Sequence, residues 1–203
     1  MVMGLGTVCY FCKVACRGHY CETCLTKLAP SFRLLPTFPN IALGGYLFDY
    51  TDPFKMAISD IKFHSNFRLA DWLKQLNYFN CIPDIYYDVD AVICVPSHWF
   101  RQMFRGRAHI PYLFDYLLNQ CVDGSFLLKR IRFNQSSYRL TRIQRQQNTM
   151  KSRFFWKGPK TIQSVTLLDD ICTTGTTAIE IARLLKAAGV ETIYVLSLSY
   201  QSF

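Results

Sequence analysis

Residues 165–177 read VTLLDDICTTGTT, a short apolar run, two acids and then a loop of four threonines around one glycine. The apolar run at 165–168 predicts a buried parallel strand, and the helical spacing of apolar residues in 178–186 predicts a helix after the loop. A second apolar run at 191–198 predicts a parallel strand reached by a right-handed crossover. The stretch therefore predicts an α/β fold in which helices flank a parallel sheet.

The loop between this strand and this helix has the composition of an anion site. Gly175 lets the backbone approach an anion, the threonine hydroxyls can donate to it, and the helix N-terminus is positively polarised. Asp169 and Asp170 would repel a phosphate but suit sugar hydroxyls or a hydrated Mg²⁺. A ligand with a phosphate, a ribose and a metal-bound diphosphate fits this order. The alternative is a turn without a ligand, in which Thr174 or Thr176 caps the helix.

Length and composition indicate a globular protein. The 203 residues suffice for one core domain and a small appendage, and a hydrophobic content of 50% predicts a packed core. No apolar run reaches the length of a membrane span, and the N-terminus lacks the charged segment of a signal peptide. We therefore expect a cytoplasmic protein without a membrane span of its own.

Positive charge is concentrated in the middle of the chain, whose net charge is +9. Between His98 and Lys160 lie 13 of the 23 lysines and arginines but only two acids, Asp115 and Asp123. Such asymmetry indicates a polyanionic partner or substrate, and a solvated basic face is the alternative.

Five of the nine cysteines fall within residues 9–24, where two C-x-x-C pairs are separated by eight residues. Four such thiolates can surround one tetrahedral ion, and a segment this short needs the ion in order to fold. The ion would be structural, because four thiolates leave no open position; zinc is favoured, and iron is the alternative. Cys16 and His19 are alternative ligands. We expect a zinc knuckle at 1–29 and a core domain at 30–203, with the metal ligands Cys9, Cys12, Cys21 and Cys24.

Further elements follow from local patterns. Asp52-Pro53 predicts a helix start, with apolar residues at 54, 58 and 61 and with Lys62 near the end, where a cation complements the helix dipole. Helices are also predicted at 67–79 and 111–122, a strand is predicted at 126–128, and Gly189 is predicted to end the helix after the threonine loop.

The basic middle supplies the remaining candidates. A predicted strand at 89–95 is followed by Arg101 and Arg105, which suit a diphosphate and are the catalytic candidates. The polar segment 134–148, which is rich in glutamine and arginine, is a candidate mobile lid or binding arm. The aromatic run 154–156 lies among Lys151, Arg153 and Lys157, and this mixture suits single-stranded nucleic acid; a hydrophobic anchor of the lid is the alternative. The DNA-binding candidates are Arg130, Arg132, Arg139, Arg142, Arg145, Lys151 and Arg153.

The order of apolar strand, two acids, two residues and threonine-rich loop resembles the phosphoribosyl pyrophosphate (PRPP) loop of type I phosphoribosyltransferases. The resemblance implies that the two acids hold the ribose hydroxyls and that the loop holds the 5′-phosphate, with Mg²⁺ bound together with PRPP. The implied PRPP-binding residues are Asp169, Asp170, Thr173, Thr174, Gly175, Thr176 and Thr177.

Nearly the whole chain resembles the ComF family of competence-associated proteins. The C-x-x-C pairs, the run 95–106 (Val-Pro-x-His, then Arg101 and Arg105-Gly), Arg130-x-Arg132 and the Asp-Asp loop occur in the family's order. The resemblance implies a type I phosphoribosyltransferase fold with a zinc finger and a role in bringing transforming single-stranded DNA into a bacterial cytoplasm. Its implied partners are PRPP, single-stranded DNA and the inner-membrane uptake machinery, at the cytoplasmic side. The chain departs from the family at 107–109, where Arg-Ala-His replaces Phe-Asn-Gln, and at 134–137.

Two functions fit these features. One is a DNA-binding adaptor of natural transformation that retains a PRPP site. The other is an active phosphoribosyltransferase that acts on an unidentified nucleobase or related acceptor. Thr173 stands where some purine-salvage relatives carry an acidic base, so a purine-type mechanism lacks its carboxylate here.

Overall fold

The computed structural model describes residues 7–16, 20–96, 108–130 and 153–202. Three-residue and four-residue 3₁₀ turns lie at Tyr78–Cys81, Asp84–Tyr86 and Ser125–Leu127. The helices and strands, in chain order, are β1 Thr7–Val8, β2 Ala15–Cys16, α1 Glu22–Lys27, β3 Arg33–Leu34, β4 Leu43–Asp49, α2 Phe54–His64, α3 Phe67–Lys74, β5 Ala91–Cys94, α4 His109–Leu113, α5 Asp115–Gln120, β6 Leu128–Arg130, β7 Phe154–Trp156, β8 Ser164–Cys172, α6 Thr176–Ala187 and β9 Thr192–Tyr200.

Five strands form the central sheet in the order β3-β4-β9-β8-β5. β4, β9, β8 and β5 pair in parallel, and the short edge strand β3 is antiparallel to β4. The predicted α/β class, with a mostly parallel sheet flanked by helices, is therefore confirmed. Since parallel strands end at the same edge, the carboxyl ends of β4, β5, β8 and β9 share one edge of the sheet.

Both faces of the sheet are covered by apolar side chains. Consecutive residues of β9 enter different clusters: Val195 packs with α6 and the β6–β7 ribbon, whereas Leu196 packs with α2, α3 and the N-terminal segment. This alternation is expected for a strand buried on both sides. No helix in the described part of the chain combines the length and apolar composition needed to cross a bilayer.

Several element boundaries differ from the predicted ones. β8 continues to Cys172, because β9 pairs with it as far as Tyr200, so both aspartates lie inside the strand. α2 begins at Phe54, with Pro53 rather than Asp52 in the cap position, and the predicted apolar face at 54, 58 and 61 is buried. α3 ends at Lys74 rather than at 79, since the chain turns through Asn77 at a left-handed φ of 54°.

Two elements predicted between residues 111 and 128 also differ from the observed ones. The helix expected at 111–122 is divided into α4 and α5, with the non-helical Phe114 at φ −106° and ψ 20° between them. The strand expected at 126–128 begins only at Leu128, because the preceding residues form a 3₁₀ turn. Gly189, at φ 100°, follows α6 as predicted.

Candidate functional site

Four cysteine thiols of the N-terminal segment converge on one point. The sulfur atoms of Cys9, Cys12, Cys21 and Cys24 lie within 4.8 Å of one another, and Cys12 Sγ is 3.5 Å from Cys21 Sγ. In a tetrahedral site with metal–sulfur bonds of about 2.3 Å, neighbouring sulfurs are about 3.8 Å apart. The predicted ligands are thus brought together in an arrangement that can hold a metal ion such as zinc.

The backbone around Cys9 favours the thiolate that a metal requires. The N–H of Cys21 donates to Cys9 Sγ at 3.3 Å. Burial opposes ionisation of this thiol, but the N–H groups of Cys12, Cys21 and Phe11 lower the pKa of Cys9 to about 6. Cys16 does not join the four sulfurs, and His19 lies outside the described residues.

The N-terminal cysteine segment packs on α2 and α3. Tyr10 Oη donates to Asp60 Oδ2 of α2 at 2.6 Å, and the ring of Tyr20 stacks on Trp72 of α3 with centroids 3.9 Å apart. Phe11 belongs to the same hydrophobic cluster as these helices. The segment therefore shares a core with the rest of the chain, and the division at residues 29 and 30 stays a prediction.

The threonine loop (residues 173–177) connects β8 to α6. Gly175 has a φ of 69°, and a Cβ at this position would lie 2.6 Å from Phe38 Cε1. Both facts require glycine. α6 then begins at Thr176, and within the described residues its first turn has no side-chain cap. Its first N–H groups are therefore available to an anion.

The loop, β8 and β9 enclose a small pocket, which we call the loop pocket. Its volume of about 60 Å³ holds about four water molecules. Asp169 lines it beside Ser197, its register partner in β9. Ser197 is fully buried, and its Oγ has no hydrogen-bond partner in the described part of the chain. That oxygen is not open to a ligand, but the threonines and Asp169 that line the pocket suit a polar ligand.

Asp170 does not line the loop pocket but is held by side chains of α2 and α4. Lys62 Nζ lies 2.6 Å from Asp170 Oδ2, and His109 Nε2 lies 2.7 Å from the same oxygen. The N–H of Ile171 donates to Asp170 Oδ1 at 2.7 Å. The side chain of Asp170 is only 7% exposed, so these three donors replace its water.

The two neighbouring carboxyl groups differ in their charge. Burial opposes ionisation of Asp170, but His109 and Lys62 hold the pKa of that carboxyl well below its usual range. Burial and the charge of Asp170 raise the pKa of Asp169 to about 8. At neutral pH these shifts favour the ionised form of Asp170 and the protonated form of Asp169.

Replacing Asp169 by asparagine is expected to remove a pH dependence of stability. Folded wild-type protein keeps this proton up to a pKa of about 8, whereas the unfolded chain releases it near pH 4. The wild-type free energy of unfolding therefore falls as pH rises between these values, by up to about 1.4 kcal/mol per pH unit. Denaturant unfolding of both ligand-free proteins at pH 6, 7 and 8 measures the difference. Identical slopes would contradict the assignment.

A larger cavity of about 320 Å³ opens on the other side of His109. Its described walls include Pro96 after β5, His109 on α4, and Ser125 and Arg130 around β6. His109 thus contacts Asp170 and also lines this cavity. A group bound in the cavity would lie close to the charged carboxyl edge of the sheet.

Two DNA-binding candidates lie in the described residues, and both contact other side chains. Arg153 Nε and Nη2 lie 2.8 and 2.6 Å from Glu180 Oε2 on α6. The Arg130 guanidinium lies 5.5 Å from the centre of the Phe154 ring. The other DNA-binding candidates and both catalytic candidates lie outside the described residues: Arg101, Arg105, Arg132, Arg139, Arg142, Arg145 and Lys151.

Lys62, His109 and Ser197 are site residues that the sequence did not indicate. The position of Lys62 could have indicated a buried ion pair. Lys62 follows Ile58 by four positions on the buried face of α2, where a cation needs a partner of opposite charge. His109 is 61 positions from Asp170, so no local pattern pairs them. Ser197 lies inside an apolar strand, where a small hydroxyl residue has no distinguishing pattern.

Comparison with known proteins gives relatives over most of the chain. The chain is 29% identical over 192 residues to competence protein F of Haemophilus influenzae, covering 90% of this chain and 79% of that protein. It is 27% identical to DNA utilization protein YhgH of Escherichia coli O157:H7, with 93% and 82% covered. The protein of the same name from Salmonella typhi is 26% identical, with 86% and 75% covered. No family model matches the chain.

Proposed function

We propose that this chain belongs to the ComF family, an assignment that its relatives support. We further propose that it binds PRPP and single-stranded DNA and that it supports the uptake of transforming DNA into the cytoplasm. The relatives' names, competence protein F and DNA utilization protein, support a role in competence or DNA uptake. We propose that it acts on the cytoplasmic side of the inner membrane, next to the uptake machinery.

The observation that carries the PRPP proposal is the loop pocket. A backbone turn at Gly175 with a positive φ and an uncapped helix N-terminus lie in one wall, and the carboxyl of Asp169 lies in another. The first wall suits the 5′-phosphate of PRPP, and the second suits its ribose. Mg²⁺ would enter with the diphosphate and would favour the ionised form of Asp169.

We propose that the four clustered cysteines hold zinc as a structural ion. Four thiolates satisfy a tetrahedral Zn²⁺ and leave no position for substrate. The shared core with α2 and α3 supports this role, because the ion would stabilise the surface on which those helices pack. Iron in the same site is distinguished by its colour and by metal analysis.

We propose single-stranded DNA as the polyanionic partner. Most of the basic residues between His98 and Lys160 lie outside the described residues. Their positive charge suits contacts with phosphate groups. Aromatic residues in the same region suit unpaired bases, which a duplex does not present.

The cavity beside His109 favours a second function, phosphoribosyl transfer. Its volume of about 320 Å³ gives room for an acceptor beside His109, which contacts Asp170, the neighbour of Asp169 in β8. In this reaction the acceptor forms a bond to the anomeric carbon of PRPP, and the bond from that carbon to the diphosphate breaks. Arg101 and Arg105 are the candidates to neutralise the leaving group. Diphosphate release from PRPP with a panel of acceptors separates this function from binding alone.

The PRPP proposal is tested by Gly175→Ala. A methyl group at this position meets Phe38, and the left-handed φ of 69° becomes strained, so the loop must change shape. We expect affinity for Mg²⁺–PRPP to fall at least about tenfold in isothermal titration, which corresponds to about 1.4 kcal/mol.

The matched control is Gly189→Ala at the other end of α6. Gly189 also has a positive φ, of 100°, but a Cβ there meets no atom within 4 Å. Both variants are expected to lose stability through backbone strain, and only Gly175→Ala should lose PRPP affinity. Absence of PRPP binding by the wild-type protein, or equal affinities for the two variants, would reject the loop as the PRPP site.

A further inference from the structure

The β6–β7 ribbon exposes two phenylalanine rings. In this antiparallel pair Lys129 lies opposite Phe155, and both side chains are exposed. Phe155 is 51% exposed, and Phe126, just before β6, is 65% exposed. Both rings are therefore open to contact with a partner.

Lysines lie among these rings. Lys157 Nζ is 5.7 Å from the centre of the Phe126 ring, and the N–H of Lys157 donates to the carbonyl of Leu127, which extends the ribbon. We call Phe126, Lys129, Phe155 and Lys157 the ribbon face. Leu128 and Phe154, at the positions that alternate with Lys129 and Phe155, are buried, so Lys129 and Phe155 point outward. Phe126 precedes the strand in a 3₁₀ turn and joins this face through its contact with Lys157.

We propose that the ribbon face binds single-stranded DNA, with unpaired bases stacked on Phe126 and Phe155 and with phosphates contacted by Lys129 and Lys157. The location rests on the proposed DNA-binding function and specifies where that binding occurs. Exposed rings between cations match a strand whose bases alternate with negative phosphates. A duplex fits less well, because its bases are already paired and stacked.

One acid and two further cations lie near the ribbon. The acid nearest in sequence, Asp123, accepts a hydrogen bond from the N–H of Ser125. Arg153 is bound to Glu180, and Arg130 contacts the buried Phe154 ring, so these two candidates are directed to neighbouring side chains. The ribbon also brackets residues 131–152 in sequence, which carry five of the predicted DNA-binding cations.

The test is fluorescence anisotropy with a labelled oligothymidylate of about 25 nucleotides. We expect Phe126→Ala/Phe155→Ala to weaken binding at least about tenfold. Lys129→Ala/Lys157→Ala should weaken it and should also reduce the dependence of affinity on salt. Phe63→Ala is the control, since Phe63 is 54% exposed on α2 and lies outside the ribbon. Its affinity should stay at the wild-type value.

Melting temperature and PRPP titration verify that each variant is folded. Wild-type protein that binds no oligothymidylate overturns the DNA-binding part of the proposed function together with the ribbon face. If the wild-type protein binds oligothymidylate and the double phenylalanine variant binds equally well, only the ribbon face is overturned. The same conclusion follows if Phe63→Ala weakens binding as much as the double variant does. An equal loss of duplex binding in the phenylalanine variant overturns the stacking of unpaired bases.

Discussion

Replacing Cys21 by serine is expected to release the metal ion and to destabilise the whole chain. Cys21 supplies one sulfur of the cluster, and its N–H donates to the sulfur of Cys9. A serine hydroxyl is a poor ligand for zinc, so bound metal per chain should fall from about one to near zero. The segment has too few apolar residues to fold alone, so we expect the proposed ion to contribute to its stability.

The loss should extend beyond the cysteines, because Cys9, Phe11 and Leu28 share a hydrophobic cluster with α2 and α3. We expect a loss of about 5 kcal/mol and a fall in melting temperature of roughly 10–20 °C, measured by thermal unfolding alongside metal analysis. Cys16→Ser is the matched control, since Cys16 lies in the same segment but outside the cluster. Metal loss from Cys16→Ser, with metal retained in Cys21→Ser, would contradict the assigned ligands.

Asp170→Asn is expected to destabilise the protein by about 3 kcal/mol and to weaken Mg²⁺–PRPP binding at least about tenfold. The amide removes the negative charge beside Lys62, whose side chain is only 23% exposed. An ammonium group left without its counter-charge in this position is poorly hydrated. Asp170 itself does not line the loop pocket, but its N–H donates to Asp169 Oδ1, so a change at Asp170 is expected to disturb the carboxyl that faces the proposed ribose. Denaturant unfolding and isothermal titration measure the two effects.

A double-mutant cycle isolates the ion pair. Asp170→Asn combined with Lys62→Met should cost less than the sum of the single changes, by about 1 kcal/mol or more. Asp49→Asn is the control, because Arg33 and Asp49 are also 2.6 Å apart but are 40% and 54% exposed. It should change stability by less than about 1 kcal/mol. Additive single changes would show that Lys62 does not hold Asp170.

The pH dependence of the free energy of unfolding at acidic pH gives an independent check on the Lys62–Asp170 ion pair. Because the folded-state pKa of Asp170 is held below its usual range, the stabilisation is complete above about pH 4 and is lost as pH falls further. Asp169 has the opposite sign, so its effect appears between about pH 4 and 8. The two carboxyls are therefore distinguished by the pH range in which each replacement changes stability.

Local patterns were sufficient for much of the architecture. The strand, loop and helix around residues 165–187, the parallel return strand and the buried face of α2 all follow from short-range periodicity. The Cys pairs likewise identified four sulfurs that the fold brings within 4.8 Å. Boundaries were less accurate where they depended on partners: β8 extends to Cys172 only because β9 pairs with it that far.

The amino-acid sequence by itself therefore determined the α/β order, the four cysteines that converge and the position of the threonine loop, because each follows from a local pattern of residues. Tertiary structure alone decided the difference between Asp169 and Asp170. The sequence presents them as an equivalent pair, but Lys62 and His109 reach only Asp170, from helices far away in the chain. Charge states of buried groups depend on what surrounds them in space, and two adjacent strand residues have different surroundings.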